Sequence, residues 1–128
     1  HAPSRDVPIA ESIRAMNELQ ERGTVEHVGV SNFSVEQIRE AMDASETPIL
    51  TNQVVYHPLR NQREIHAFCV ENDVMLTAYS PLREGRLTDN EVLAEIGARH
   101  GKSAAQVALR WNSPTTRWSD SSICDDAP

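Results

Sequence analysis

Lysine is nearly absent from this chain: of twelve basic residues, eleven are arginine and Lys102 stands alone. Any chemistry that needs a lysine to tune a neighbouring acid therefore has one candidate. Cysteine is almost as scarce, with Cys69 and Cys124 far apart and no C-x-x-C spacing, which excludes a disulfide scaffold and a cysteine zinc site. Cys69 lies inside the apolar pattern "EIHAFCVE" and reads as a buried thiol in a reducing compartment. Only five glycines are present, none arranged as G-x-G-x-x-G or a P-loop, so the common nucleotide-binding loops are excluded. No apolar run approaches a signal-peptide core or a membrane span, and a cytoplasmic protein is expected. Positive charge is in deficit too, at a net charge of -7 and a pI near 5.1, which argues against nucleic-acid and anionic-membrane partners. His27, His66 and His100 fall on strand or helix patterns without metal-ligand spacing, so no metal site is expected. The first residue is not Met, so the chain is expected to begin after processing or within a longer one.

What is present suits a globular domain: 128 residues, 39% hydrophobic and 24% charged. Three β-branched, apolar runs begin at Val25 ("VEHVGVSNF"), Pro48 ("PILTNQVVY") and Asp73 ("DVMLTAYSPL"), with helical patterns between them. Before the first, Ile9, Ile13, Met16 and Gln20 share a helical face, with Pro8 in the first turn and Gly23 as the left-handed stop. After it, Ser34 and Gln37 predict a capping box, with Phe33 against Ile38 as a hydrophobic staple and Val35, Ile38 and Met42 on one face. Asn61 and Glu64 predict the same relation before a face of Ile65, Phe68 and Cys69. Two final helices are predicted, one opened by Thr88 and Glu91 and stopped at Gly101. The other is opened by Ser103 and Gln106, with Ala104, Val107, Ala108 and Trp111 in one stripe. Residues 112–128 lose periodicity and are expected to be an aperiodic, disordered tail.

Strands alternating with amphipathic helices imply a parallel sheet, and ligands of such sheets bind at the carboxyl ends of the strands. Ser31 and Asn32 end the first strand, Gln53 lies on the second with Tyr56 and His57 after it, and Tyr79 and Ser80 end the third. Neutral hydrogen-bonding groups beside an aromatic ring suit an uncharged planar amide carried on a flat heterocycle. Ser31-Asn32 also fits a helix cap, although Ser34 already fills that role. Gln53 also fits a polar residue bonding inside a barrel, and His57-Pro58 fits a loop turn.

The motifs "GVSNFS", "TNQVVYHPL", "AYSPL" and "GKSAAQVALRW", in this order and spacing, resemble the C-terminal half of an aldo/keto reductase, with the likeness covering residues 1–111. The resemblance implies an α/β fold: a partial (β/α)8 TIM barrel of three parallel strands with flanking helices, truncated at both ends. It implies reduction of aldehydes and ketones to alcohols by hydride transfer from NADPH, with NADH as the alternative cofactor and a small-molecule carbonyl as substrate. By motif, Ser31, Asn32 and Gln53 would hold the nicotinamide carboxamide, and Tyr79 would stack on its ring. Ser80 and Leu82 would lie toward the pyrophosphate, and His1 would orient the carbonyl.

The departures from the family pattern bear on activity. The family's catalytic Tyr, Lys and Asp would precede His1 and are not in the chain, and Lys102, between two predicted outer helices, does not replace them. Val55 stands where the family often has Glu. The last strand, with its Lys and Arg for the adenosine phosphate, would follow Trp111, where the tail instead resembles a shifted reading frame. A fragment inactive alone, needing the missing barrel half for closure, is the expectation; a regulatory barrel subunit that binds NADPH without turnover is the alternative.

Overall fold

A computed structural model describes residues 2–113, so His1 and the part of the expected tail from residue 114 lie outside the described residues. The elements run α1 (Ile9–Glu21), β1 (Val28–Ser31), α2 (Val35–Ala44), β2 (Ile49–Val55), α3 (Arg63–Glu71), β3 (Met75–Tyr79), α4 (Glu91–Arg99) and α5 (Ala104–Asn112). The three strands are parallel and lie in the order β1-β2-β3, as the alternating pattern predicts. None of the described helices is long and apolar enough to cross a membrane. The chain divides into two compact units: the first runs to Val54 and resumes over Gln62–Thr77, and the second takes Val55–Asn61 and continues from Ala78.

In the first unit, β1 and β2 pair Val28 with Ile49, Val30 with Asn52 and Ser31 with Gln53, with an irregularity between Val28 and Val30. Gly29 sits at that irregularity because a Cβ there would stand 2.7 Å from the Thr51 methyl. Thr51 in turn donates to the Met75 carbonyl and meets the Thr77 hydroxyl, each at 2.7 Å, tying β2 to β3. Val28, Val30, Ile49, Val54, Val74 and Leu76 are buried, as are Ile38 and Ala41 of α2. Leu50 and Met75 remain 41% and 47% exposed, and the sheet is open. In closed parallel sheets both faces are covered.

Local capping follows the sequence at two helices. Ser34 accepts from Gln37 N at 3.3 Å while Gln37 accepts from Ser34 N at 2.9 Å, and Ser103 and Gln106 repeat the same reciprocal pair at 3.3 and 2.9 Å. Gly23 and Gly101 take φ of 69° and 63° past the ends of α1 and α4, as a left-handed stop requires. Three expectations are corrected. Helix α3 opens on Gln62 without a side-chain cap, not on Asn61, whose Oδ1 is buried and unpartnered. Helix α4 is capped by Asn90, which accepts from Leu93 N at 3.0 Å; Thr88 is spent one turn earlier, donating to the Gly85 carbonyl at 2.6 Å. Met16, expected on the apolar face of α1, is 42% exposed, and Asn17 is buried in its stead. Asn17 tolerates burial because its amide accepts from Glu46 N at 3.1 Å and donates to Gln20, Thr47 and Ser45 at 3.3 to 3.4 Å.

The second unit is centred on Leu87, Leu93, Ala104 and Ala108, with Leu82 and Val107 packed against them. Tyr56 and Trp111 add a tilted ring pair with centroids 4.9 Å apart. Helices α4 and α5 turn tightly about Gly97, where a Cβ would run into the main-chain carbonyl of Lys102. At Gly97→Ala overpacking costs about 1–3 kcal/mol against the ~1 kcal/mol that Ala gains in helix propensity, and a net destabilisation of this unit by up to about 2 kcal/mol is expected. Amide hydrogen exchange across α4 and α5 reads this directly, and slower exchange in the variant would contradict it.

Candidate functional site

At the carboxyl end of β1 the chain reverses through Asn32, whose φ of 58° is the left-handed conformation that Asn tolerates better than most residues. The reversal is held by one acceptor: the Gln53 carbonyl takes the Ser31 hydroxyl at 2.8 Å and the Asn32 N–H at 2.9 Å. The Asn32 amide donates to the Ser31 hydroxyl at 3.2 Å. Ser31 is buried, whereas the Asn32 and Gln53 side chains are exposed. The first unit thus brings together three of the sequence-predicted residues, Ser31, Asn32 and Gln53, through the Gln53 main-chain carbonyl. Hydroxyl and primary-amide side chains both donate and accept hydrogen bonds and carry no charge.

Tyr79, Ser80 and Leu82 belong to the second unit. Tyr79 is half-buried at the end of β3, its carbonyl accepting from Tyr56 N at 3.4 Å. Ser80, Arg83 and Glu84 have φ of 52°, 48° and 56°, so the loop after β3 is a succession of left-handed turns, with Arg83 N bonded to the Ser80 carbonyl at 2.9 Å. The N–H groups of Arg83, Gly85, Arg86, Leu87 and Thr88 are bonded to carbonyls within this same loop. The Leu82 side chain packs against the Leu87–Ala108 cluster. His1 lies outside the described residues.

His57, read as part of a loop turn, does close one: Arg60 N bonds to its carbonyl at 2.8 Å. The pattern did not reveal that its ring is buried, with Nδ1 unpartnered. Burial, then the Arg83 and Arg60 charges, hold this imidazole below its ordinary pKa, so it is neutral at pH 7. Cys69 is a free, buried thiol, as its apolar surroundings suggest, and burial pushes its pKa up to about 11. It stays protonated at neutral pH and is not a nucleophile there. A cavity of about 650 Å³ lies between the end of α1 and the segments leading into β1 and β2, lined by Asn17, Gln20, Val25 and Thr47 among others. It sits at the amino ends of the strands, away from the Ser31–Gln53 cluster.

Parallel strands alternating with flanking helices define a segment of an α/β fold of the TIM-barrel kind. The aldo/keto reductase family model matches residues 1–116. A glyoxal reductase of Bacillus subtilis is 40% identical over 112 residues, covering 88% of this chain and 40% of the relative. An NAD(P)H-dependent 6'-deoxychalcone synthase of Glycine max is 39% identical, covering 76% of this chain and 33% of the relative. The solved structure of a thermostable aldo-keto reductase, Tm1743, in complex with the inhibitor epalrestat superposes with a TM-score of 0.81 at 36% identity, over 87% of this chain and 42% of that one. This chain belongs to the aldo/keto reductase family. It spans about two fifths of the length of the curated relatives it matches.

Proposed function

We propose that this chain forms the cofactor side of an NADPH-dependent reductase of aldehydes and ketones, with residues 1–111 as its barrel segment, acting in the cytoplasm together with the barrel strands that complete the fold. The observation that carries this reading is the Ser31–Asn32–Gln53 cluster, in which the Ser31 hydroxyl and the Asn32 N–H both donate to the Gln53 main-chain carbonyl and the Asn32 and Gln53 residues lie exposed at the carboxyl end of neighbouring strands. A nicotinamide bound there supplies the hydride. Asn32 and Gln53 offer exposed amides to its carboxamide, while Ser31 serves mainly to brace Asn32, since its own hydroxyl donates to the Gln53 carbonyl. Tyr79 supplies the aromatic face for the ring, Ser80 and the Leu82 main chain lie toward the pyrophosphate, and His1 orients the carbonyl. All the carboxamide contacts are un-ionised groups, so they hold across the neutral range without titrating. The name of the Glycine max relative supports a nicotinamide cofactor, and the choice of NADPH over NADH is part of this proposal.

The test is a fluorescence titration of NADPH against the complete enzyme that contains this segment. Tyr79→Ala is expected to weaken binding by about 1 kcal/mol, roughly fivefold, through lost ring contact. Gln53→Ala is expected to weaken it by about 0.5–1.5 kcal/mol through one lost hydrogen-bonding group. Unchanged affinity in both variants would remove the cofactor from this rim.

A further inference from the structure

Asn52 is fully buried in the middle of β2, where strand propensity and apolar surroundings both favour a β-branched residue. Its amide makes a closed pair with one residue's main chain: Oδ1 accepts from Phe33 N at 3.3 Å and Nδ2 donates to the Phe33 carbonyl at 3.0 Å. Phe33 directly follows Asn32, the residue held at φ 58°. Successive strand residues face opposite ways, so Asn52, registered with Val30, points into the core while Gln53, registered with Ser31, points to the exposed face. The turn after β1 is therefore held at successive residues by adjacent residues of one strand. The Gln53 main-chain carbonyl holds Ser31 and Asn32, and the Asn52 side chain holds Phe33.

We propose that Asn52 is a positioning residue for the carboxamide clamp: by fixing both main-chain groups of Phe33 it sets the Asn32 turn and so aims Asn32, braced by Ser31, at the group that Gln53 also meets. This rests on the clamp reading of Ser31, Asn32 and Gln53. The role is specific to Asn. Leucine of similar shape has neither donor nor acceptor, glutamine adds a methylene at a site with no room, and an ionised aspartate keeps the acceptor but cannot donate to the Phe33 carbonyl.

The test uses residues 1–128 and two small cations, 1-methylnicotinamide and 1-methylpyridinium, which differ in the carboxamide alone, titrated at millimolar concentration against the 15N-labelled protein. Wild type is expected to bind the carboxamide probe in preference, with shifts at Asn32 and the Gln53 side chain. Gln53→Ala and Asn52→Ala are each expected to lose that preference, while the Ile38 and Ala41 signals of α2 keep their positions. A purely structural role would weaken both probes alike and leave their ratio unchanged, which would overturn the proposal. Preference lost in Gln53→Ala but kept in Asn52→Ala would also overturn it while the clamp reading stands. No preference in wild type would defeat the clamp reading and the inference with it. Where Asn52→Ala fails to fold, Asn52→Asp decides through its pH profile, because a protonated carboxyl both accepts from Phe33 N and donates to the Phe33 carbonyl. Preference that returns on acidification in an already folded protein supports the proposal. Preference that never changes with pH, or that returns only together with the fold in a single transition, overturns it.

Discussion

Residues 1–128, mixed with NADPH and an activated aldehyde, are expected to oxidise no cofactor above the protein-free rate. Carbonyl reduction needs an acid within hydrogen-bond reach of the carbonyl oxygen, and a positioned acid typically contributes about 100- to 10,000-fold. The chain contains two tyrosines. Tyr79 is the residue proposed to face the cofactor ring, and Tyr56 is 8% exposed with its own ring against Trp111. The one lysine, Lys102, is exposed in the turn after α4, its N–H bonded to the Gly97 carbonyl at 2.8 Å. His57 is neutral and walled in, so it does not replace the acid. Hydride transfer further depends on holding donor and acceptor together in a rigid site, a factor an open sheet supplies poorly. The measurement is loss of NADPH absorbance, with a Tyr56→Phe control. Turnover that is present in the chain and vanishes in the control would make Tyr56 the acid and overturn this account.

Ile38→Ala is expected to destabilise the first unit by about 2–5 kcal/mol, the range for deleting a large aliphatic side chain that cannot be replaced by local collapse. Ile38 has no exposed surface and lies one turn into α2, behind the capping box that Ser34 and Gln37 close. Ala41, also without exposed surface, occupies the next turn of the same face, so the cavity has a rigid neighbour on the helix itself. The loss reaches the site because α2 starts two residues after Phe33, whose main chain anchors the Asn32 turn. Urea unfolding followed by circular dichroism should show a lowered midpoint at an unchanged slope. A loss below about 1 kcal/mol would mean that α2 resettles into the gap and that the packing there is plastic.

The sequence by itself determined those features in which both partners of an interaction lie within a few residues. The Ser34–Gln37 and Ser103–Gln106 boxes, the left-handed stops at Gly23 and Gly101, and the order of strands and helices were legible because each is decided inside one turn or one short periodic run. The motifs at the strand ends were legible too, and the first unit brings Ser31, Asn32 and Gln53 together. Tertiary structure decided whatever depends on partners far along the chain. Thr88 and Asn90 are both cap-forming types, and Asn90 is the cap while Thr88 donates to the Gly85 carbonyl in the turn before it. Asn17 displaced Met16 from the buried face of α1 because Glu46 and Thr47, about thirty residues on, satisfy its amide. Asn52, an unlikely core residue by type, became one because Phe33, 19 residues earlier, presents a main-chain donor and acceptor together. A polar side chain enters a core only where its hydrogen bonds are replaced, and that replacement is a property of the fold rather than of the local pattern.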